Sequence, residues 1–357
     1  MMPSTLSEWP TIRPVAGVNA TAVREDLHVV FPTWGDDTCF MRGYLILVLP
    51  VLLATACRFT QSAQPPLSPA VFTPDGSAIV FSIAKEKSCF LYKADIASGA
   101  THRLTQATSG CESDAAFSPD GRQLAYMCAP GRGTHAALLL ANPDGTSART
   151  LVSSDEDNFQ PVFVPHSNQV LFLRSGAFEH YSPLVANRRH KVGLVSADLS
   201  SGILTSLTQQ ASHEFSHFSV SADGKQIIMS VSTFPEGDHF LIAPIDEPEK
   251  PTQSLQPKVP NCPSPSPVLY NSLWLPDGRS IIFSAASQPP DGNFDYNVYR
   301  LDIPSGAIEQ LTYLTGLLDG LSVSTDGKKA VLLRQDVYSI LDLGTHQIRP
   351  VRLQKPT

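Results

Sequence analysis

The chain has little of what would assign a function quickly. Only 17% of its 357 residues are charged, and 26 basic residues fall short of 33 acidic ones. A net charge of −7 lacks the electrostatic footprint of a nucleic-acid binder, so that class is set aside. Six cysteines are too few to build a disulfide scaffold at this length. No run of 18 apolar residues occurs, which argues against a bilayer-spanning helix. What is plentiful is proline, at 30 residues, beside 22 glycines, a share still below that of low-complexity disorder. With 42% hydrophobic residues, the chain can bury the core of one large domain or two ordinary ones.

Residues 41–57 read MRGYLILVLPVLLATAC. Arg42 supplies a positive start, Gly43 to Leu53 form a short apolar stretch, and the small residues Ala54, Thr55 and Ala56 follow. This is the layout of a secretory signal over 41–56. Ala54-x-Ala56 fits ordinary signal-peptidase cleavage, whereas the same residues before Cys57 resemble a bacterial lipobox, whose cysteine is lipidated. Ala54 departs from the leucine that lipoboxes favour there. A retained anchor is the third reading. Residues 57–67 suit a polar, proline-containing tether. Residues 1–40 precede the signal and read as a start-site artefact or a disordered leader, with Met41 as the expected start.

The remainder, 68–357, repeats one unit six times. The copies are VFTPDGSAIVFS from Val71, AFSPDGRQLAYM from Ala116, VFVPHSNQVLFL from Val162, SVSADGKQIIMS from Ser219, LWLPDGRSIIFS from Leu273 and SVSTDGKKAVLL from Ser322. Their turn residues are Asp75, Asp120, His166, Asp223, Asp277 and Asp326, spaced 45, 46, 57, 54 and 49 residues apart. Asp-Gly between apolar runs is a strong hairpin signal, because glycine supplies the positive φ and aspartate tolerates it. In the third copy Asn168 is expected to take the glycine's place. A second strand–turn–strand follows each hairpin, as in LYKADIASGATHRLT from Leu91 and VYRLDIPSGAIEQLT from Val298. Four short strands per unit, six times over, predict an all-β fold: a six-bladed β-propeller of four-stranded blades. A β-sandwich is the runner-up, and the sixfold similarity argues against it.

The F-S-P-D-G core with a following Leu-Thr resembles the propeller repeats of the TolB-like family, over about residues 68–353. That resemblance implies the propeller fold and a place in the periplasm, where TolB is a partner in the Tol–Pal envelope system. A full TolB also carries an N-terminal α/β domain, for which residues 57–67 leave no room. The same repeats occur in prolyl-oligopeptidase-type enzymes, but no G-x-S-x-G nucleophile elbow is present. The repeats therefore imply a fold, and function is left to the loops.

Several clusters carry possible chemistry. His213-Glu214-Phe215-Ser216-His217 matches H-E-x-x-H, which binds zinc only on a helix, and here it precedes a strand. Asp155-Glu156-Asp157-Asn158 matches no calcium-loop spacing, and Arg188-Arg189-His190-Lys191 falls in a long third-unit loop; both read as solvated. No Ser, His and Asp trio is placed for catalysis, and no cofactor or metal is expected. Across the second hairpin, residue pairs summing to about 240 would set Cys111 and Cys128 nearly opposite, so a disulfide between them is expected in an oxidising compartment. Cys89 and Cys262 could instead pair with either, or stay reduced.

The expected protein is a monomer, exported to the periplasm or outer membrane, tethered to a membrane through lipid on Cys57, with plain secretion the alternative. It is read as a non-enzymatic scaffold that binds one or more envelope proteins. The alternatives are a propeller enzyme of the oligogalacturonate-lyase type or a ligand sensor. Each blade is expected to use contiguous chain. Tight turns should occupy one rim, and long insertions the other: Ser175 to Lys191, Pro257 to Val268 and Ser287 to Tyr296. The binding face is placed on that second rim, with Glu112, Asp114, Asp157, Gln160, Glu214, His217, Asn271 and Asp319 near the channel mouth.

Overall fold

A computed structural model describes residues 67–131, 135–153, 155–179, 188–208, 214–233, 237–260, 267–287 and 295–356. Among these residues there are strands and turns and no helix. Blade 1 comprises β1 (Val71–Phe72), β2 (Ala78–Lys85), β3 (Ser88–Asp95) and β4 (Thr101–Arg103). Blade 2 comprises β5 (Cys111–Phe117), β6 (Leu124–Ala129), β7 (Ala137–Ala141) and β8 (Arg149–Val152). Blade 3 comprises β9 (Asp157–Phe163), β10 (Gln169–Glu179), β11 (Arg188–Asp198) and β12 (Leu204–Ser206). Blade 4 comprises β13 (Glu214–Val220), β14 (Gln226–Thr233), β15 (Gly237–Pro244) and β16 (Gln253–Leu255). Blade 5 comprises β17 (Leu269–Trp274), β18 (Ser280–Ser287), β19 (Asp295–Asp302) and β20 (Ile308–Gln310). Blade 6 comprises β21 (Gly320–Val323), β22 (Lys329–Arg334), β23 (Val337–Asp342) and β24 (Ile348–Pro350).

Within every blade the strands pair antiparallel in chain order. Blades 3 to 6 are separate four-stranded sheets, and blades 1 and 2 merge into one eight-stranded sheet through a single parallel pair, Cys89 with Cys111. The architecture is the expected propeller. Blade sequences explain it locally. In four of the six first turns a Ser or Thr hydroxyl, from Thr73, Ser118, Ser221 or Ser324, donates to the turn aspartate at 2.6 Å. The same carboxylate accepts the N–H two residues on, as Asp75 does from Ser77. These bonds hold the pKa of Asp75 down at about 2. The Leu-Thr signature has a bonding role too. Leu207 N donates to Leu194 O, and the Thr208 hydroxyl accepts Leu194 N at 2.8 Å. Leu311 and Thr312 repeat this against Val298.

No blade buries both faces alone. Each of six apolar clusters is shared by two consecutive blades, so the core is a ring of seams. The last seam closes the ring: Phe81 packs on Tyr338 with centroids 4.8 Å apart, and Ser322 Oγ donates to Ala70 O at 2.7 Å. Gln354 N donates to Gly99 O, and a Cβ on Gly99 would lie 1.7 Å from Arg352 O, so only glycine fits there. No strand is exchanged among the described residues; Leu67 bridges to Ile83 of its own blade.

Three expectations need correction. The disulfide joins Cys89 to Cys111, not Cys111 to Cys128. The hairpin register sets Cys111 opposite Ala129 and Glu112 opposite Cys128, so alternation turns Cys128 to the other face. Cys128 is a free, half-buried thiol, raised by burial and then by Glu112. Second, the basic run lies on β11, not in a loop. Third, the glycine position of the third turn is held by Ser167, since Val164 N bonds Gln169 O as Thr73 N bonds Ala78 O. The positive φ of 59° moves one residue earlier, to His166.

Candidate functional site

The innermost strand of each blade leads into the first turn, and these strands contact one another from β5 through β9, β13, β17 and β21 to β1, while β5 meets blade 1 through β2. Four of them are irregular. Register shifts occur between Ser113 and Ala116, opposite Leu171 to Leu173, between Phe215 and His217, and between Tyr270 and Leu273. A bulge re-aims a side chain that regular alternation would hide. Three residues at these bulges have left-handed backbone without being glycine: Asp114 at φ 48°, Gln160 at 53° and Asn271 at 54°. Each such conformation costs on the order of 1 kcal/mol. With His217, all lie six residues before their turn residue, in blades 2, 3, 4 and 5. In blades 6 and 1 the matching residues are Gly320 and Pro69, and a Cβ on Gly320 would meet Pro69 at 2.9 Å. One arc of the ring is polar, and the other is closed by a glycine–proline contact.

The polar arc is linked from blade to blade. Gln160 N donates to Asp114 Oδ2 at 3.3 Å, and Gln160 Nε2 donates to Phe218 O at 3.3 Å. The hydroxyls of Ser230 and Ser272 meet at 2.9 Å in a buried contact. Asn271 Nδ2 donates to Ser284 Oγ at 3.2 Å. Asp114 is exposed at its bulge in β5. Its carboxyl is raised, first by lost hydration and also by Asp157, against lowering by Gln160 N–H and Arg189. His217 is half-buried; burial depresses it to about 4, so it is neutral at pH 7. Its Nδ1 has no hydrogen-bond partner.

The other candidates behave differently. Glu112 is wholly buried and offers no surface to a partner. Its Oε2 accepts Leu91 N at 3.0 Å and the Thr105 hydroxyl, so it extends the Leu-Thr bonding of blade 1 across the seam. Asp157 is also buried, in an ion pair with Arg189 Nε at 2.7 Å; the Arg189 guanidinium lies 4.1 Å over the Phe159 ring. Glu156 pairs with Arg174 at 3.1 Å. The two runs therefore meet through one pair, Asp157 with Arg189, because β10 and β11 extend to eleven residues each and reach β9's start, while Asp155, Glu156 and Lys191 stay exposed as expected. Asp319 Oδ2 accepts Gln335 N at 3.2 Å. Glu214 opens β13; its side chain, His213 and Cys57 lie outside the described residues, as does Cys262. Glu214 to His217 being strand, the helical zinc geometry does not form there. Sequence reasoning did not find Arg189 or Arg174 as the partners of the acidic run. Their charge was legible, but the hairpin length that brings them across was not.

On the opposite rim, an open groove of about 950 Å³ lies between blades 2 and 3. It is lined by both blades' turns and stands apart from the channel residues.

No protein-family model matches the chain, and no curated protein matches it. Solved structures do. The structure of a "putative TolB" from Agrobacterium tumefaciens is similar at 17% identity and TM-score 0.54, over 74% of this chain and 87% of that one. TolB from Acinetobacter baumannii is similar at 16% identity and TM-score 0.53, over 82% of this chain and 66% of that one. An oligogalacturonate lyase in complex with manganese is similar at 15% identity and TM-score 0.52, over 79% of this chain and 75% of that one. At such identities the likeness establishes the fold: a TolB-like β-propeller, with both TolB and lyase structures among its neighbours.

Proposed function

We propose that this propeller is an exported scaffold, tethered to a membrane through lipid on Cys57, that binds one or more proteins of the bacterial envelope on its second rim. The observation that carries the reading is the polar arc of Asp114, Gln160, His217 and Asn271, all at β-bulges and three of them in left-handed backbone. Strain of that kind persists where surrounding structure enforces it and clusters at binding sites. The Cys89–Cys111 disulfide suits an oxidising compartment, and the TolB neighbours share the fold. The matching test combines crosslinking in intact cells with a triple variant, His217→Ala, Asn271→Ala and Asp319→Ala. Partner crosslinks should fall at least about tenfold, the loss of one or two charge-assisted or buried polar contacts, with the melting temperature nearly unchanged. Crosslinks that persist there but vanish when the Asp-Gly turns are altered would place the face on the other rim.

A second reading, a propeller enzyme of the lyase type, has one observation in its favour. His217 leaves Nδ1 unpartnered beside the channel, and a manganese-bound lyase shares the fold. Among the described residues, however, no three His, Cys, Asp or Glu side chains cluster as a metal site would need. Manganese titration by calorimetry separates the readings: saturable binding lost in His217→Ala favours the enzyme.

A further inference from the structure

The groove between blades 2 and 3 has a cause in the repeat. At three seams the proline before the turn residue presses on the glycine of the next blade's turn. A Cβ on Gly121 would lie 2.9 Å from Pro74, one on Gly224 2.3 Å from Pro165 O, and one on Gly327 2.6 Å from Pro276. Pro119 of blade 2 is the fourth such proline, and its counterpart across the seam is Ser167, which has a Cβ. No glycine is there to receive Pro119 at this seam, and Pro119 and Ser167 both line the groove. At the two remaining seams the proline itself is missing, with Ala222 and Thr325 in its place, and Gly278 and Gly76 face open space.

The groove's floor is apolar: Leu140, Phe163 and Leu199 are each less than a tenth exposed. Its rim is cationic. Arg122 is 85% exposed, and only a 3.8 Å contact with Asp120 offsets it. Arg149 is tied by one nitrogen, Nη2, to Leu199 O at 2.6 Å, which leaves the rest of its donor fork available. His166 stands exposed beside them in left-handed backbone. Among the lining residues two guanidiniums face one carboxylate, Asp120, with Asp198 behind the lining Asn168 at 3.0 Å, on a chain whose net charge is −7.

We propose that this seam is a binding site for a small anionic ligand, a carboxylate or sulfonate on an apolar body, with the body on Leu140 and Phe163 and the anion between Arg122 and Arg149. The volume lies in the range of small-molecule sites. The site is independent of the envelope partner's face, being on the other rim.

The probe is anilinonaphthalene sulfonate, with neutral N-phenyl-naphthylamine as its uncharged counterpart, read by fluorescence on the folded full chain. The sulfonate should bind saturably at one site, weaken with salt, and outbind the neutral compound. Arg122→Gln with Arg149→Gln should weaken it about tenfold or more, as loss of charge-assisted bonds does. Because Arg149 also holds Leu199 O, Arg122→Gln alone is the companion variant, with a smaller loss in the same direction. His166→Asp with Ser167→Gly, which restores the Asp-Gly turn, should close the groove and weaken binding comparably. Equal affinity for the neutral compound, no saturation, or undiminished affinity in the arginine variants would overturn the proposal.

Discussion

The seam between blades 1 and 2 and the seam between blades 2 and 3 start from the same repeat and close differently. At the first, Pro74 presses on Gly121, the Cys89–Cys111 disulfide crosses, and buried Glu112 accepts Leu91 N and the Thr105 hydroxyl. At the second, a serine replaces the glycine, no disulfide crosses among the described residues, and a groove opens on the turn rim. The channel side of that same seam carries the charges: Asp114 of blade 2 faces the field of Asp157 and Arg189 of blade 3. The turn glycine, the disulfide and the buried Glu112 together distinguish the first seam from the second.

The largest expected effect is on the first seam. The disulfide spans 22 residues of chain, and removing such a link costs about 3 kcal/mol through the entropy of the unfolded state. Cys89→Ser with Cys111→Ser should lose about that much in urea denaturation, and reductant should destabilise the wild type by a similar amount but leave the variant unchanged. An unchanged midpoint would mean that Glu112 and the Pro74–Gly121 contact already secure this seam, and the contrast would rest on packing alone.

A middle-sized effect is expected on the channel side of the second seam. Arg189→Gln removes the cation paired with buried Asp157 and should cost about 1–2 kcal/mol at neutral pH, less than a fully buried pair because Arg189 is 40% exposed. It should also raise Asp114 further. Arg189 lowers that carboxyl and Asp157 raises it, so losing the cation and unmasking the carboxylate act in the same direction. An acid raised in the folded state contributes stability below its unfolded value, 3.8 here, and loses it as pH rises through the folded value. The variant's deficit should therefore be larger at about pH 7 than near pH 4. A deficit independent of pH would uncouple Asp114 from blade 3.

Much of the fold was legible in the sequence because its repeat is written in backbone chemistry. Asp-Gly turns, the preceding Ser or Thr and the Leu-Thr signature each make bonds within a few residues or one strand over. The pairing sum of 240 across the second hairpin was also right, as Cys111 with Ala129 shows. What was not legible crosses between blades. Cys89 meets Cys111 only because blades 1 and 2 lie side by side, and Glu112 is buried for the same reason. The bulges that present Asp114, Gln160 and Asn271 have no glycine to mark them.

The smallest effect tests the cause assigned to the open seam. His166 carries a positive φ of 59° without being glycine, and Ser167 lines the groove with Pro119 where the other turns have glycine. His166→Asp with Ser167→Gly puts glycine where the other five turns have it, at φ between 62° and 71°. Relieving one left-handed non-glycine residue is worth on the order of 1 kcal/mol, and glycine's extra freedom in the unfolded chain takes back part of that. The double variant should therefore gain a few tenths of a kcal/mol and melt slightly higher, with Pro119 then able to settle on the new glycine as Pro74 does on Gly121. The single change Ser167→Gly separates the two contributions. It clears the space without repairing the backbone at His166, so it should lose stability while still narrowing the groove. If instead both variants melt lower and leave the groove open to the sulfonate probe, the missing glycine is not what parts these two blades, and the cause must lie deeper in the seam, where Phe163, Leu140 and Leu199 meet.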